Sequence, residues 1–363
     1  GLDPNNQTIH SKFFRKVLTL DRSNAPNTDD IGDGMRPKVF AIGGTIDYDF
    51  SDAINFTNRA RFSDISGRFI SPFPAGVNSA QVVADSVGGA GSQLFFATGP
   101  NAGQRITSPS TLSGNGLLIP IVLFNTKLNS LDNLTNDARL NGTFEMGGGT
   151  LNATAGFYYS RQDIATTWLW TSHLLAADGS NAALIDVRSA AGVPQTQDGT
   201  VAYGASFFGN CCRREYDLRY TTTAPFASLG FETGALNIDA SVRFDSGDVS
   251  GSVLSDGPVT TLDVNGNGTI QVPETKTTVL NFAGRQKIDY GYNYVSYSFG
   301  ANYRMSDDAA VFARYSRGAR ANADRLIFGP AISAAGGLVS EGAVVDYVKQ
   351  TEAGLKYRKA PLS

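Results

Sequence analysis

Three ten-residue stretches of the chain alternate between apolar and polar side chains. They are LNATAGFYYS (151–160), LNIDASVRFD (236–245) and VSYSFGANYR (295–304). In the second stretch the apolar positions are Leu236, Ile238, Ala240, Val242 and Phe244, and the polar positions are Asn237, Asp239, Ser241, Arg243 and Asp245. A period of two residues predicts β-strands with one apolar and one polar face.

The connections between these strands fall into two length classes that alternate along the chain. Short turns are predicted at 50–54, 145–150, 232–235 and 305–310, and long segments rich in Gly, Ser and Asn at about 72–132, 173–213, 250–286 and 320–343. All short turns would then lie at one end of the sheet and all long loops at the other. This asymmetry predicts an all-β fold, an antiparallel transmembrane β-barrel with long extracellular loops. A soluble β-sandwich or solenoid is the alternative, because a sheet with one face on a core alternates in the same way.

Composition narrows the classes of partner. Charged residues make up 17% of the 363 residues and the formal net charge is −3, so nucleic-acid binding is not expected. The longest apolar run, LLIPIVLF (117–124), contains Pro120 and is much shorter than the ~20 residues of a membrane helix. Any crossing of a membrane would therefore use strands.

Five arginines are predicted to lie on the polar strand faces, where a water-filled barrel lumen accommodates charge. They are Arg59, Arg61, Arg243, Arg304 and Arg314. Such a row of cations would suit an anionic ligand. The alternative is a wall ladder in which these arginines pair with Asp239, Asp245 or Glu145.

Several segments resemble the barrel of TonB-dependent outer-membrane receptors. YSFGANYRMSDDAAVFARYSRGARANADRL (297–326) resembles a late-barrel hairpin of that family, QTEAGLKYR (350–358) is similar to the strand that follows, and FTNRARFSDISGRFISPFP (56–74) is similar to other barrel strands. The resemblance implies a barrel of roughly 22 strands closed by an N-terminal plug. Residues 38–363 are accordingly interpreted as a partial barrel, about half of the strands, and residues 1–37 as an unassigned leading loop or strand.

The resemblance also implies a function. It predicts an uptake receptor in the outer membrane of a Gram-negative bacterium, surrounded by lipid, that binds a siderophore, a carbohydrate or a similar scarce small molecule at its extracellular loops. Contact with the TonB complex would be made by the plug, which is expected to lie outside this chain. The alternative is a surface adhesion or structural β protein with a calcium-ordered loop. No enzymatic activity is expected, since His10 and His173 fall in no catalytic motif.

The stretch DVNGNGTIQVPE (263–274) matches the loop of an EF-hand. Oxygen donors fall at loop positions 1, 3, 5, 7, 9 and 12, which here are Asp263, Asn265, Asn267, the Thr269 carbonyl, Gln271 and Glu274. The flanking residues lack the helical period of a calcium sensor. The pattern therefore predicts a structural Ca²⁺ ion with an affinity of about 10⁻⁴ to 10⁻³ M. The alternative is an Asn/Gly-rich turn that binds no metal.

The two cysteines, Cys211 and Cys212, are adjacent. This spacing fits neither a zinc site nor a C-x-x-C redox motif. They are interpreted as an unreactive pair of loop thiols, with a disulfide between them as the alternative.

Overall fold

The computed structural model describes residues 9–321, 333, 337–340 and 344–358. The strands are β1 (Lys16–Leu20), β2 (Pro26–Asp30), β3 (Met35–Ser51), β4 (Ile54–Pro74), β5 (Asn78–Ser79), β6 (Gln93–Phe96), β7 (Arg105–Ile106), β8 (Leu117–Ser130), β9 (Asn133–Met146), β10 (Gly149–Trp168), β11 (Thr171–Ala176), β12 (Ile185–Arg188), β13 (Thr200–Ala202), β14 (Arg214–Thr233), β15 (Leu236–Leu254), β16 (Asp256–Thr260), β17 (Thr277–Leu280), β18 (Gln286–Arg304), β19 (Ala309–Ala321) and β20 (Val345–Tyr357). The helices are α1 (Ala80–Gly88) and short 3-10 helices at Ile31–Asp33, Pro109–Gly114, Ser206–Phe208, Val272–Lys276 and Phe282–Gly284.

Nine long antiparallel strands form the wall of the molecule. Their order in the sheet is β3, β4, β9, β10, β14, β15, β18, β19 and β20, so each pairs with the next long strand along the chain. They run from 13 residues in β19 to 21 in β4, more than the ~9–11 residues that cross a bilayer. In the described part of the chain β3 pairs only with β4 and β20 only with β19, so the wall is a partial barrel, as predicted.

The predicted alternation of connections is confirmed. Two residues join β3 to β4, β9 to β10, and β14 to β15, and four join β18 to β19. Gly147, Gly148 and Gly234 have positive φ values of 62°, 78° and 51°, which a tight turn between long strands requires and glycine adopts without steric cost. The long connections 75–132, 169–213, 255–285 and 322–344 all leave the opposite end of the wall.

Strand register aligns the two alternating faces across the seven wall strands from β3 to β18. One row of hydrogen-bonded neighbours carries apolar or small side chains and comprises Tyr48, Phe56, Leu140, Ala155, Ala227, Val242 and Tyr297. The adjacent row is mostly polar and comprises Asp47, Thr57, Arg139, Gly156, Phe226, Arg243 and Ser296. Apolar side chains such as Val242 and Phe299 are 49% and 55% exposed. An exposed apolar face opposite a polar one is the pattern of a lipid-facing barrel wall.

The long connections fold together into a cap with its own hydrophobic core, which the sequence did not predict. Its largest buried side chains include Leu94, Leu118, Ile121, Leu174 and Ile185, each at most 1% exposed. Helix α1 belongs to this core because Ala80, Val83 and Ala84 lie on one of its faces and are buried. The helices of the described residues are all too short or too polar to cross a bilayer.

The leading segment is part of the cap. Strands β1 and β2 form a hairpin, and Phe14, Val17 and Ile31 are buried in the cap core. The first wall strand begins at Met35, inside the range 1–37 that the sequence left unassigned. The predicted ranges 1–37 and 38–363 also include residues 1–8 and 359–363, which lie outside the described residues.

Candidate functional site

The polar face of the wall holds a cavity of about 440 Å³. Its polar lining includes Asp137, Arg139, Ser228, Ser241 and Arg243. A second cavity of about 440 Å³ on the same face also borders Asp137. Because these cavities form on the polar face, it is the concave side of the wall, and the apolar face is the convex side.

Arginines and aromatic rings are paired within this concave surface. The Arg139 guanidinium lies 5.5 Å from the ring centre of Phe226, and the Arg243 guanidinium lies 4.9 Å from that of Tyr158. Such contacts hold a planar cation flat against a ring. The edges of both guanidinium groups donate to carboxylates, Arg139 to Asp137 and Arg243 to Asp245.

The predicted ladder of ion pairs is present in part. Arg314 pairs with Asp239 at 3.0 Å and Arg243 with Asp245 at 2.8 Å. Glu145 forms no ion pair among the described residues, and its carboxylate accepts a hydrogen bond from the Thr150 hydroxyl. The Thr150 hydroxyl reaches Glu145 because the two residues face each other across the β9–β10 hairpin.

Arg59 and Arg61 behave differently from the other predicted lumen arginines. Among the described residues neither forms an ion pair. Arg59 is the cross-strand partner of Asp137, but the Asp137 carboxylate is paired with Arg139 at 2.6 Å. Both arginines line the second cavity, together with Tyr158.

A column of stacked aromatic rings lies where the cap joins the wall. The ring centres are 4.8 Å apart for Phe73 and Phe124, 4.0 Å for Phe124 and Trp170, and 5.0 Å for Trp170 and Trp168. The Arg214 guanidinium lies 4.9 Å from the Trp168 ring centre. The column extends the concave surface toward the loops with further aromatic and cationic groups. Its members come from β4, β8 and the β10–β11 region, so no local pattern predicts it.

Comparison with known families decides the identity of this wall. The model of the TonB-dependent receptor-like β-barrel matches residues 3–363. The chain belongs to this family. The matched range includes the leading segment as well as the nine wall strands. No curated protein sequence is significantly similar to the chain.

Solved structures of TonB-dependent receptors resemble the chain in fold. The closed form of the ferric-catecholate import receptor Fiu from E. coli K12 has a TM-score of 0.55 at 14% identity, covering 90% of this chain and 39% of that one. Two Acinetobacter baumannii proteins, the siderophore receptor PiuA and the ferric preacinetobactin receptor BauA, have TM-scores of 0.46 and 0.43 at 10% and 11% identity. They are covered to 38% and 40%, and this chain to 90% and 97%. The chain thus spans about two fifths of these structures.

In this TonB-dependent receptor chain, two carboxylates of the predicted calcium loop accept hydrogen bonds from backbone N–H groups of the same loop. Asp263 accepts hydrogen bonds from the backbone N–H groups of Gly266, Asn267 and Gly268 at 2.8, 3.2 and 2.8 Å. The fully buried Glu274 accepts three more, from Val264, Asn265 and Gln271.

The other predicted ligands of this loop lie on the same turn. Asn265 Oδ1 and Asn267 Oδ1 accept from the backbone of Asn267 and Thr269, and Gln271 Oε1 accepts from the Asn265 amide. A strand, β16, precedes the loop, and the 3-10 helix Val272–Lys276 ends it, so EF-hand helices are not formed. Within the described residues, no three His, Cys, Asp or Glu side chains come together as a metal site. Binding of Ca²⁺ by this loop stays a prediction.

The two cysteines are joined. Cys211 and Cys212 form a disulfide, so the interpretation as free loop thiols is wrong and the alternative is confirmed. The turn reverses the chain locally, with Cys212 at a positive φ of 86° and its N–H donating to Asp256 at 3.0 Å. Burial raises the pKa of the Asp256 carboxyl and lowers the pKa of the neighbouring Arg213 to about 10.

His173 is part of the cap core. It is 1% exposed, contacts the hydroxyls of Thr171 and Thr200 at 2.8 and 3.4 Å, and its ring centre lies 4.9 Å from that of Phe14. Burial lowers the pKa of the imidazole to about 3. His173 is therefore a neutral packing residue, whereas His10 lies at the exposed surface of the leading segment.

Proposed function

We propose that the protein is an outer-membrane receptor that binds a small anionic ligand and takes it up with energy supplied through TonB. Membership of the TonB-dependent receptor family supports the uptake role. The anionic class of the ligand is inferred from the concave cavity that contains Arg59 and Arg61. These arginines form no ion pair among the described residues. Guanidinium groups that face a lumen and form no ion pair favour anions.

A ferric siderophore is the ligand class that fits this surface best. Such chelates combine negative charge with planar or aromatic groups, and the cavity that contains Arg59 and Arg61 is also lined by the Tyr158 ring. The name of Fiu, a ferric-catecholate import receptor, agrees with this choice for a protein of the same fold. A neutral carbohydrate could accept hydrogen bonds from these arginines but would not gain the charge attraction that an anion gains. The adhesion alternative has no support from the family match.

The wall and the cap would lie in different surroundings in the outer membrane. The exposed apolar face would contact lipid of a Gram-negative outer membrane. The cap would face the outside and admit the ligand, since long loops are extracellular in such barrels. A plug domain would transmit the energy from TonB, and its residues are not among those of the wall.

The test uses the receptor as the cell makes it, in cells grown under iron limitation. Arg59→Gln with Arg61→Gln should lower the affinity for a ferric catecholate by about 10-fold or more, since one hydrogen bond to a charged group contributes about 1.5–3 kcal/mol. The matched control is Arg304→Gln, which changes a concave-face arginine that donates to the Gly234 carbonyl near a short turn. The control should bind the ferric complex normally.

Two results would contradict this proposal. Energised uptake of a neutral oligosaccharide, with no binding of ferric complexes, would replace the ligand class. Absence of any TonB-dependent uptake by a receptor present in the outer membrane would remove the transport function.

A further inference from the structure

Two Asn–Gly pairs follow each other in the loop 263–274. They are Asn265–Gly266 and Asn267–Gly268, and residues 266–270 are exposed. In an Asn–Gly pair the backbone nitrogen of the glycine can attack the side-chain carbonyl of the asparagine, since glycine has no side chain to obstruct the approach. The attack forms a cyclic succinimide and releases ammonia. The loop therefore contains two candidate sites for spontaneous deamidation.

The attacking nitrogen of the second pair faces a carboxylate. The Gly268 N–H donates to Asp263 Oδ2 at 2.8 Å. A backbone nitrogen becomes nucleophilic as its proton is withdrawn, and a carboxylate in hydrogen-bond contact with that proton is placed to act as a general base. Apart from its chain neighbours, no atom lies within 4 Å of the position that a Cβ on Gly268 would occupy. Water therefore reaches the reacting groups.

The attacked carbonyl of Asn267 is polarised by hydrogen-bond donors. Its Oδ1 accepts from the Thr269 N–H at 2.8 Å, and the Gln271 side-chain amide donates to the same oxygen at 3.5 Å. These donors stabilise the negative charge that forms on the oxygen as the nitrogen adds to Cγ. The leaving group, Nδ2 of Asn267, forms no hydrogen bond with the described residues, so it is free to depart as ammonia.

The leaving group of the first pair is held in place. The Gly266 N–H is bonded to the same carboxylate at 2.8 Å, and Asn265 Oδ1 accepts from the Asn267 N–H at 3.0 Å. However, Nδ2 of Asn265 donates to the side chains of Gln271 and Gln197 at 3.0 and 3.3 Å. These bonds must break before ammonia leaves. Deamidation should therefore be faster at Asn267 than at Asn265.

We propose that Asn267 converts to aspartate in the folded receptor by attack of the Gly268 nitrogen, with Asp263 as the general base. The nitrogen forms a bond to Cγ, its proton passes through the carboxylate to Nδ2, and the Cγ–Nδ2 bond breaks with loss of ammonia. Water then opens the succinimide, which gives aspartate or its isomer isoaspartate at position 267 and restores the N–H of Gly268. The reaction consumes one water molecule, and no oxidant or reductant takes part. This inference does not depend on the ligand taken up.

The aspartate product carries a carboxylate where the loop had an amide. Position 267 is the fifth position of the predicted calcium loop, which accepts either Asp or Asn. The number of carboxylates tunes the Ca²⁺ affinity of such loops, so Asn267→Asp, which reproduces the product, should bind Ca²⁺ more tightly than freshly made wild type in calorimetry. Equal affinities would refute this consequence of the conversion.

The chain contains an internal control for the reaction. Asn141–Gly142–Thr143 has the same three residues as Asn267–Gly268–Thr269, but Gly142 lies in β9, between β4 and β10. The receptor as the cell makes it is incubated at neutral pH in water labelled with heavy oxygen, and peptide mass spectrometry follows the label at both asparagines. Label should enter at Asn267 at least about 10-fold faster than at Asn141, a factor typical of one hydrogen bond to a charged group.

Two further measurements separate an effect of the fold from an effect of the local sequence. In receptor unfolded in urea the two sites should convert at similar rates, because only their local sequences then matter. Asp263→Asn keeps an oxygen acceptor in the loop but removes the base, so it should slow conversion at Asn267 by about 10-fold or more. Asp307→Asn, which removes an exposed carboxylate from the short turn between β18 and β19, should leave the rate unchanged.

Two results would overturn the proposal. Conversion of Asn267 that is slower in the folded receptor than in the unfolded one would show that the loop protects this asparagine. An unchanged rate in Asp263→Asn would show that the carboxylate takes no part in the attack. Either result leaves the uptake proposal unaffected.

Discussion

Arg22 and Glu215 form a two-pronged ion pair, with Nε 3.0 Å from Oε2 and Nη2 3.1 Å from Oε1, although 193 residues separate them. Glu215 is 4% exposed at the start of β14. On the other side of the leading segment, Asp29 pairs with Arg68 of β4 at 2.7 Å. These contacts fasten the β1–β2 hairpin to two separate wall strands.

The first prediction concerns this attachment. Arg22→Ala should speed amide hydrogen exchange in β1 and β2 by about 5- to 30-fold, because it leaves the buried Glu215 carboxylate without its partner, at a cost of about 1–2 kcal/mol. Arg15→Ala is the control, since Arg15 pairs with Asp30 within the hairpin and its side chain is 58% exposed. Exchange that is equally fast in both variants would show that the ion pair to Glu215 does not hold the hairpin.

The second prediction is a pH dependence of the cap. His173 has a pKa of about 3 in the fold and about 6.5 when unfolded, so the unfolded cap binds a proton that the folded cap does not. Cap stability should be unaffected above pH 6.5 and should fall as the pH decreases toward 3, by about 2 kcal/mol at pH 5.

The variant His173→Gln should lack this pH-dependent loss, and His10→Gln should retain it. Hydrogen exchange of β11 and β13 at pH 7 and pH 5 measures both. A wild-type cap whose protection is the same at the two pH values would contradict neutral burial of His173.

The third prediction concerns the cysteines. The disulfide joins adjacent residues, so it closes almost no loop of the unfolded chain, and loop closure is the main source of disulfide stabilisation. Replacing both cysteines with serine should change the free energy of unfolding by less than about 1 kcal/mol. Thermal unfolding gives this value, and labelling should find no thiol before reduction. Thiols that react without a reductant would disagree with the bonded pair.

The fourth prediction concerns the loop 263–274. Calorimetry should show Ca²⁺ binding in the range of about 10⁻⁴ to 10⁻³ M and its loss in Asp263→Ala. Asp178→Ala, an exposed aspartate in another long connection, should leave the heats unchanged. If wild type and Asp263→Ala give the same heats, Glu274 and Asp263 serve only to cap backbone amides.

The fifth prediction concerns the two wall faces. Val242→Arg should destabilise the barrel in lipid vesicles by about 2–4 kcal/mol if the residue lies near the bilayer midplane. Ser241→Arg, one residue away on the concave face, should have a small effect, because its side chain enters the aqueous lumen. Urea unfolding in vesicles measures both. Similar losses in the two variants would show that the convex face is not in contact with lipid.

Local sequence patterns were sufficient to predict the structure wherever it repeats every two residues. The alternation from Leu236 to Asp245 correctly placed Val242 on one face and Arg243 on the other. The short turns were predictable because glycines such as Gly147 and Gly234 supply the positive φ that they need. The alternative of a wall ladder was realised for Arg314 and Asp239 of different strands, but the sequence did not specify which arginine meets which carboxylate.

Contacts between distant segments could not be predicted in the same way. The cap core joins Phe14, Leu94 and Leu174, which come from segments far apart in the sequence, and no periodic pattern relates these segments to one another. The disulfide depends on a reversal of the chain at Cys212, which two adjacent cysteines do not specify.

The sequence by itself determined the wall, because backbone pleating gives alternate residues opposite faces whatever the rest of the chain does. The tertiary structure alone decided which cations remain without partners. Arg59 faces Asp137 across the strands, but that carboxylate is paired with Arg139, whereas Arg243 pairs with Asp245 of its own strand. Strand order and register decide which side chains meet, and the local sequence does not specify them.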